Sequence, residues 1–297
     1  MARIRIGINP LTWTNDDMPE LGAETPLETC LKEAKEAGYQ GMELGNKFPR
    51  QSAALLAALK PFGLAVVSGW YSSELERRSA DEEIKAVQAH LTLLKDTGAT
   101  AMVFADTTRA IHGDRKKPLS QRPKLAAGDW PKFGAAVSAV AAHLASKGMK
   151  LAYHHHMGTV VETEAEVDLL MKHTTPDVGL LLDTGHLTFA GADVVGLARR
   201  HAKRIAHVHL KDVRKKVLDE VKAKDLPFLE AVLKGVYTVP GDGCVDYPAV
   251  MKVLAESGYQ GWLVVEAEQD PKVAHPLTYA KMGFDYAKKT ATAAGLL

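Results

Sequence analysis

The chain alternates short apolar runs with amphipathic helical stretches, and the pattern repeats eight times. Strands that alternate with helices form right-handed βαβ units, which build a parallel sheet. Eight such units close the sheet on itself, so we predict an α/β fold, a (β/α)₈ barrel. The predicted strands are RIRIGI, GMELG, LAVVSGW, TAMVFAD, KLAYHHH, VGLLLD, IAHVHLKD and GWLVVEAE. The predicted helices lie near 25–37, 51–60, 79–97, 130–147, 163–173, 194–202, 246–256 and 276–290.

One domain over residues 1–297 fits this pattern. A length of 297 residues would also allow two domains, but no low-complexity tract or linker interrupts the alternation. Glycines stand at several joints between a helix and the next strand, where they are favoured as helix C-caps. The tetrapeptide GYQG precedes both the second and the eighth predicted strand, which is consistent with equivalent joints.

Two connections are too long for simple turns. Residues 107–128 are basic and contain proline, and residues 212–243 include a predicted short helix near 219–234. Both follow strands, so both are expected over the C-terminal face of the barrel, where barrel enzymes build their sites. Long loops at that face can act as lids. For 107–128 taken alone, a solvated loop without a role is the alternative.

Composition excludes several classes of protein. The 37 basic and 36 acidic residues give a net charge of +1, which does not favour a nucleic-acid or anionic-membrane partner. Cys30 and Cys244 are too few for a disulfide framework, which favours a reducing cytoplasm. The start, MARIRIGINP, lacks the apolar core of a signal peptide, and no apolar run is long enough to span a bilayer.

Carboxylates and imidazoles gather where the predicted strands end. Asp183, His209 and Glu266 end three successive strands, so a barrel would bring them together although they are distant in the sequence. Two carboxylates and one imidazole suit Mn²⁺, Co²⁺, Mg²⁺ or Zn²⁺. Taken singly, Asp183 would also serve as a turn cap, and Glu266 would also pair with Lys211. The set of three together predicts a metal site.

The run His154, His155 and His156 ends the fifth predicted strand. Residues two apart share a face of a strand, and one face of a barrel strand looks into the lumen. The run therefore supplies at most two inward imidazoles, His154 and His156, with His155 towards the helical layer. By the same parity His207, His209 and Lys211 share one face.

These residues resemble the xylose-isomerase-like sugar isomerase and epimerase superfamily of metal-dependent TIM barrels. The likeness rests on Asp183 with His186 three residues on, on His209, and on Glu266. Over nearly the whole chain the narrower resemblance is to the myo-inosose-2 dehydratases. The segments that carry it are GINPLTWTNDDMPELG, AYHHHMGT, LLDTGH, HVHLKDVR, VPGDGCVDY and VVEAEQDP.

The resemblance implies a hydro-lyase that removes water from 2-keto-myo-inositol (2-inosose), a polyol ketone, to give a trihydroxycyclohexane-1,2-dione. It implies Mn²⁺ or Co²⁺ as the cofactor, a cytoplasmic protein and no nucleic-acid or membrane partner; a homo-oligomer is left open. The residues expected to contact substrate or transfer protons are Glu266, His154, His156, Glu43, Lys211, His186, Trp13, Asn15, Trp70 and Arg214.

The sequence departs from the superfamily at the end of the fifth strand, where a glutamate usually supplies the fourth metal ligand. His154 occupies that position here, and Glu162 is the competitor for the role. For Trp13 and Trp70, ordinary packing at the barrel mouth is as good an explanation as a wall facing the substrate. The alternative functions are a sugar epimerase or isomerase with the same metal site and, more remotely, a phosphodiesterase like endonuclease IV.

Overall fold

The computed structural model describes residues 4–297, and its centre is a closed barrel of eight parallel strands. Neighbouring strands follow the chain order around the barrel, and the last strand pairs with the first, with Ile8 opposite Val265. The predicted (β/α)₈ barrel is confirmed. Arg3, with which the first predicted strand begins, lies outside the described residues. The barrel strands are β1 (Ile4–Ile8), β2 (Gly41–Leu44), β3 (Ala65–Ser73), β4 (Ala101–Asp106), β5 (Lys150–His154), β6 (Val178–Asp183), β7 (Ile205–Leu210) and β10 (Gly261–Val265).

Helices follow the strands and cover the outside of the barrel. Their apolar faces pack on the strands in one large core, to which Phe104 and Leu151 contribute from the sheet and Val137 and Val250 from the helices. No helix within residues 4–297 is both long enough and apolar enough to cross a membrane. The helices are α1 (Leu27–Ala37), α2 (Ser52–Leu59), α3 (Ala80–Ala86), α4 (Gln88–Asp96), α5 (Trp130–Ser146), α6 (Glu164–His173), α7 (Thr184–Ala190), α8 (Val194–Arg200), α9 (Lys215–Ala223), α10 (Phe228–Leu233), α11 (Tyr247–Ser257) and α12 (Pro276–Ala293).

The helix predicted over 79–97 is two helices, α3 and α4, which meet at Val87. The ψ angle of Val87 is −12°, well away from the value of about −42° of a regular helix, so the helix is interrupted there. The prediction of one helix near 219–234 was also wrong. That segment forms α9 and α10, separated by Asp225, whose φ of 46° does not fit a helix, and by Pro227.

Helix α7 was not predicted, because the next helix was expected only near 194–202 and no element was assigned to the residues after VGLLLD. It begins directly after β6, with Asp183 as its N-cap and the Asp183 carboxylate accepting from the His186 backbone N–H at 2.8 Å. Carboxylates are favoured at this position because they satisfy an N–H that the helix leaves free. The alternative interpretation of Asp183, as a cap, is therefore correct for one of its oxygens, which binds the backbone N–H of His186.

The two GYQG segments are equivalent joints, as predicted. The C-caps of α1 and α11 are Gly38 and Gly258, with φ angles of 104° and 71°. Both lie in the left-handed region that glycine adopts without a steric penalty. A barrel strand begins three positions after each of these glycines, at Gly41 and at Gly261.

The segment 212–243 forms a small unit over the barrel. Two short strands, β8 (Asp212–Val213) and β9 (Tyr237–Thr238), pair antiparallel and enclose α9 and α10. The Asp212 carboxylate accepts backbone N–H groups from Gly241, Gly243 and Val245 at 3.0–3.1 Å, which fixes the return of the chain to α11. An apolar cluster that includes Phe228 joins this unit to Met18, Met157 and Phe189.

Candidate active site

The three predicted metal ligands converge at the C-terminal end of the barrel. Asp183 ends β6, and the strand register sets it directly beside His209 in β7. Glu266 follows β10, the other neighbour of β7. Nδ1 of His209 lies 3.4 Å from an Asp183 oxygen and 2.7 Å from a Glu266 oxygen. The structure thus brings these three side chains together, and the strand register fixes how closely they approach.

His154 joins this group and Glu162 does not. Nε2 of His154 lies 3.3 Å from Oδ2 of Asp183. Glu162 pairs instead with Arg122, at 3.0 Å, and accepts from the backbone N–H of Gly158 at 2.7 Å. Within residues 4–297, no group of potential metal ligands includes Glu162.

Glu43 lies deep in the barrel and receives four polar side chains. The distances from its carboxylate are 2.5 Å to Ser68 Oγ, 2.8 Å to Asn9 Nδ2 and 2.8 Å to His207 Nε2. The His209 Nε2 atom lies 3.1 Å away. The carboxylate therefore orients the ring of His209, whose other nitrogen meets Glu266.

Lys211 lies on the far side of Glu266 and is fully buried. Its Nζ is 2.6 Å from Glu266 Oε1, 3.5 Å from Glu268 Oε2 and 2.9 Å from His186 Nε2. The hydroxyl of Tyr237, in the 212–243 segment, lies 3.1 Å from the other nitrogen of His186. His186 is thus tied into a chain of contacts behind Glu266.

Strand β5 ends at His154, so the regular parity of the histidine run stops there. His154 and His156 both line the central cavity, while Nε2 of the fully buried His155 lies 3.4 Å from the backbone nitrogen of Asp183. The Trp70 ring packs edge-on against His154 and His156, with centroids 5.3 and 5.6 Å apart. Nδ1 of His156 lies 2.8 Å from the Met157 carbonyl oxygen, which can only accept, so this nitrogen carries the hydrogen and Nε2 is the free acceptor.

The close contacts between acids and bases determine which groups are charged. Burial alone would lower the pKa of His209, but Glu266 and Glu43 hold that pKa well above its usual value. Burial alone would raise the pKa of Asp183, but Lys211 and His186 hold it well below its usual value. Burial lowers the pKa of His154, so the ring at the fifth strand is neutral at pH 7.

The cavity between these groups has a volume of about 270 Å³. The lining residues that the sequence predicted are Glu43, Trp70, His154, His156, His209 and Glu266. Sequence reasoning missed several charged or ionisable lining residues, because most of them lie in loops whose course no periodicity fixes. They are Asp16, Asp17, Arg50, His112 and Glu268. Glu268 carried a signal because it lies two residues after Glu266, and Asp16 and Asp17 lie in the segment GINPLTWTNDDMPELG that carries the resemblance.

Five residues expected at the substrate do not line the cavity: Lys211 and His186, which lie behind Glu266, and Trp13, Arg214 and Asn15. Trp13 is buried in the main core and donates its indole N–H to Glu33 at 2.6 Å, so it packs at the barrel mouth. Arg214 pairs with Asp242 at 2.7 Å and holds the 212–243 segment. Asn15 accepts two backbone N–H groups of its own loop and reaches the cavity only through Glu268, at 3.4 Å.

The donor set at the barrel mouth fits a divalent cation. Asp183, His209 and His154 offer ligand atoms that all lie within 4.8 Å of one another, and so do Asp183, His186 and Glu266. Carboxylate oxygens with imidazole nitrogens are the ligands that Mn²⁺, Co²⁺ and Zn²⁺ take in proteins. Nδ1 of His154 is buried and has no hydrogen-bond partner among residues 4–297.

The chain matches a known family over most of its length. The model of the xylose isomerase-like TIM barrel family matches residues 31–290. The chain is 55% identical over 295 residues to the rhizopine catabolism protein MocC of Rhizobium meliloti, covering 99% of this chain and 91% of that protein. It is 43% identical over 290 residues to the inosose dehydratase of Geobacillus thermodenitrificans, covering 97% of each chain.

Solved structures share the fold. The structure of an L-ribulose 3-epimerase superposes with a TM-score of 0.67 and 18% identity, covering 98% of this chain and 96% of that chain. At this identity the likeness concerns the barrel alone. It does not favour an epimerase over a dehydratase.

Proposed function

Because the chain belongs to the xylose isomerase-like TIM barrel family and is 43% identical to an inosose dehydratase, we propose that it is a hydro-lyase of inositol catabolism. The substrate is 2-inosose, and the product, after tautomerisation, is a trihydroxycyclohexane-1,2-dione. The observation that carries the proposal is the convergence of Asp183 and Glu266 on Nδ1 of His209, beside the cavity, with His154 next to Asp183.

The cofactor is a divalent metal, with Mn²⁺ or Co²⁺ favoured. Asp183, His209, Glu266 and His154 would hold it, and when bound it polarises the ketone oxygen and stabilises negative charge next to it. Its ligand set carries one carboxylate fewer than a set with a glutamate at the end of the fifth strand. Glu43 stays outside this set and keeps the His209 ring in place through the contact of 3.1 Å.

Elimination needs a base for the proton next to the ketone and a proton for the departing hydroxyl. The Glu266 carboxylate takes the proton, because His209 and Lys211 outweigh the effect of burial and lower its pKa, so it is ionised. The Lys211 ammonium, 2.6 Å from Glu266, stabilises the negative charge that passes from the carboxylate to the substrate as the proton is transferred. The proton removed and the hydroxyl released together make one water, so the atoms balance without another reactant. The free Nε2 of His156 accepts a hydrogen bond from a substrate hydroxyl.

Turnover of 2-inosose by the purified protein tests the function directly. The dione is followed by its ultraviolet absorbance, and a panel of ketohexoses is offered in parallel. Formation of the dione with unchanged ketohexoses is expected. Interconversion of ketohexoses without loss of water would favour the epimerase alternative, since both reactions begin by removing a proton next to a carbonyl.

A step in rhizopine catabolism is the second candidate. The observation that favours it is the 55% identity with a protein of that name, over 99% of this chain. Deleting the gene and comparing growth on myo-inositol with growth on rhizopine separates the two roles. If the deletion abolishes growth on rhizopine but not growth on myo-inositol, the role in rhizopine catabolism is favoured.

We further propose that the protein acts in the cytoplasm on a small polyol ketone, with no nucleic-acid or membrane partner. Cys30 is buried and Cys244 is exposed, and both are free thiols, which suits a reducing compartment. The basic and acidic residues balance, which does not favour a polyanionic partner.

A further inference from the structure

The loop that follows β4 brings a histidine into the barrel mouth. The Ile111 backbone N–H donates to the Gly158 carbonyl at 2.9 Å, and the next residue, His112, lines the same cavity as His156 and Glu266. Gly158 has a φ of 76°, and a Cβ atom there would stand 2.9 Å from the His112 backbone nitrogen. The loop can therefore approach this closely only because residue 158 is glycine.

The His112 ring is held by contacts with two other segments. Its centroid lies 4.9 Å from that of His156, after β5, and 6.4 Å from that of Phe228, in the 212–243 segment. Both contacts are edge-to-face, the arrangement that aromatic pairs prefer. The ring has a fixed position in the cavity wall, and the solvated loop considered from the sequence does not describe this part of 107–128.

Packing alone does not account for an imidazole at this place. Nδ1 of His112 is buried and has no hydrogen-bond partner within residues 4–297. Buried side-chain nitrogens without a partner are uncommon in native proteins. Burial also lowers the pKa of His112, so its ring is neutral and offers one donor and one acceptor. A hydroxyl group matches such a ring, because it donates and accepts as well.

The position of His112 relative to Glu266 follows from the barrel order. Going round the barrel, β10 is followed by β7, β6, β5 and β4, so β4 is four steps from β10 among eight strands and stands opposite it. Glu266 follows β10, and the loop with His112 follows β4. A six-membered ring held near Glu266 would turn its far edge towards His112.

We propose that His112 is a specificity-determining residue, which hydrogen-bonds a hydroxyl group of the cyclic polyol ketone on the edge of the ring away from Glu266. This inference rests on the proposed function. His112 selects a substrate that carries a hydroxyl at that edge, and it orients the ring for removal of the proton at the other.

The test compares His112→Phe, which keeps the ring but not its nitrogens, with His112→Gln, which keeps a donor and an acceptor. His143→Phe, on the outer face of α5, is the matched control. We expect His112→Phe to raise KM for 2-inosose about tenfold, the size typical of a lost hydrogen bond, with kcat within about threefold. His112→Gln should recover most of the loss. His143→Phe should leave both constants unchanged.

A panel of inososes that each lack one hydroxyl distinguishes recognition from packing. We expect the wild-type protein to lose about tenfold in kcat/KM on one member of the panel, and His112→Phe to lose nothing further on that same member. Equal discrimination by both proteins on every member would overturn the inference while leaving the proposed function intact. Absence of any 2-inosose turnover by the wild-type protein would overturn both.

Discussion

Nζ of Lys211 lies 2.6 Å from Oε1 of Glu266, and both side chains are buried. Burial alone would lower the pKa of Lys211, but Glu266 and Asp183 raise it above its usual value, so the ammonium stays charged. Removing one partner of such a pair leaves a buried charge without compensation, which strongly destabilises the fold. A substitution that tests catalysis at Glu266 must therefore keep a hydrogen-bond acceptor for Lys211, whose charge Asp183 and Glu268 still face.

Glu266→Gln is expected to lower kcat about a hundredfold or more, with KM changed by no more than about threefold. The amide keeps the volume and a hydrogen bond to Lys211, but it cannot accept a proton, and proton-transfer groups contribute about 10²–10⁴-fold. Steady-state kinetics on 2-inosose at saturating metal measure the effect, because Glu266 is also one of the proposed metal ligands. Glu256→Gln, on the exposed face of α11, is the control. An unchanged kcat in Glu266→Gln would show that Glu266 has a structural role only.

Chelation should abolish turnover, and Mn²⁺ or Co²⁺ should restore it. Asp183→Asn is expected to reduce bound metal by about tenfold or more, because the amide loses the negative charge while still capping α7. Metal content is measured by elemental analysis of the purified variants. Asp193→Asn changes the equivalent N-cap of α8, away from the cavity, and should keep its metal. Full activity in protein verified to be free of metal would remove the metal from the mechanism.

Alanine substitutions at the three consecutive histidines are expected to have three different effects. His154→Ala should lose both metal and turnover, because Nε2 lies 3.3 Å from Asp183. His156→Ala should keep its metal and lose turnover about tenfold or more. His155→Ala should mainly lower the melting temperature, since its ring is fully buried beside the Asp183 backbone. If Glu162→Gln alone empties the metal site, the assignment of His154 is wrong.

Glu162→Gln should also change how stability depends on pH. Burial outweighs the Arg122 contact and raises the pKa of Glu162 from 4.5 to about 7. The folded state then binds more protons than the unfolded state between these values, so this group makes stability fall as pH rises from 4.5 to about 7. Over this pH range the contribution of Glu162 to the free energy of unfolding changes by on the order of 3 kcal/mol. Urea unfolding at several pH values should show a flatter profile in Glu162→Gln than in Glu164→Gln, and identical profiles would contradict the shift.

The segment 212–243 is expected to close further over bound substrate. Phe228 packs against His156 and His186, with centroids 5.2 and 5.9 Å apart, so substrate in the cavity would stabilise this contact. Limited proteolysis should cut the segment about tenfold more slowly when 2-inosose is present. Phe228→Ala should lose most of this protection. Equal rates of cutting with and without substrate in the wild-type protein would contradict closure.

The barrel and much of its site follow from local patterns in the sequence. Strand periodicity placed Asp183, His209 and Glu266 at strand ends, and parallel strands end at one edge of the barrel. Parity also set His154 and His156 apart from His155, although β5 ends at His154. In each case the information lies within a few residues of the side chain concerned.

The parts that escaped prediction depend on contacts between distant segments. Nothing near His112 in the sequence reveals that Gly158, 46 positions later, makes room for its backbone. Trp13 was expected at the substrate as readily as in the core, because a tryptophan near a strand end suits both. The hydrogen bond from its indole N–H to Glu33 in α1 holds the ring in the core.

Asp183 ends a strand, caps a helix through one oxygen and turns the other towards His154. Screens for expression and screens for catalysis would therefore both reject changes at this codon, for different reasons. A library designed to raise heat tolerance should leave it fixed, and so should one designed to change substrate range. Directed evolution of this protein has more freedom in the loop after β4, where side chains reach the cavity but do not cap or support a helix.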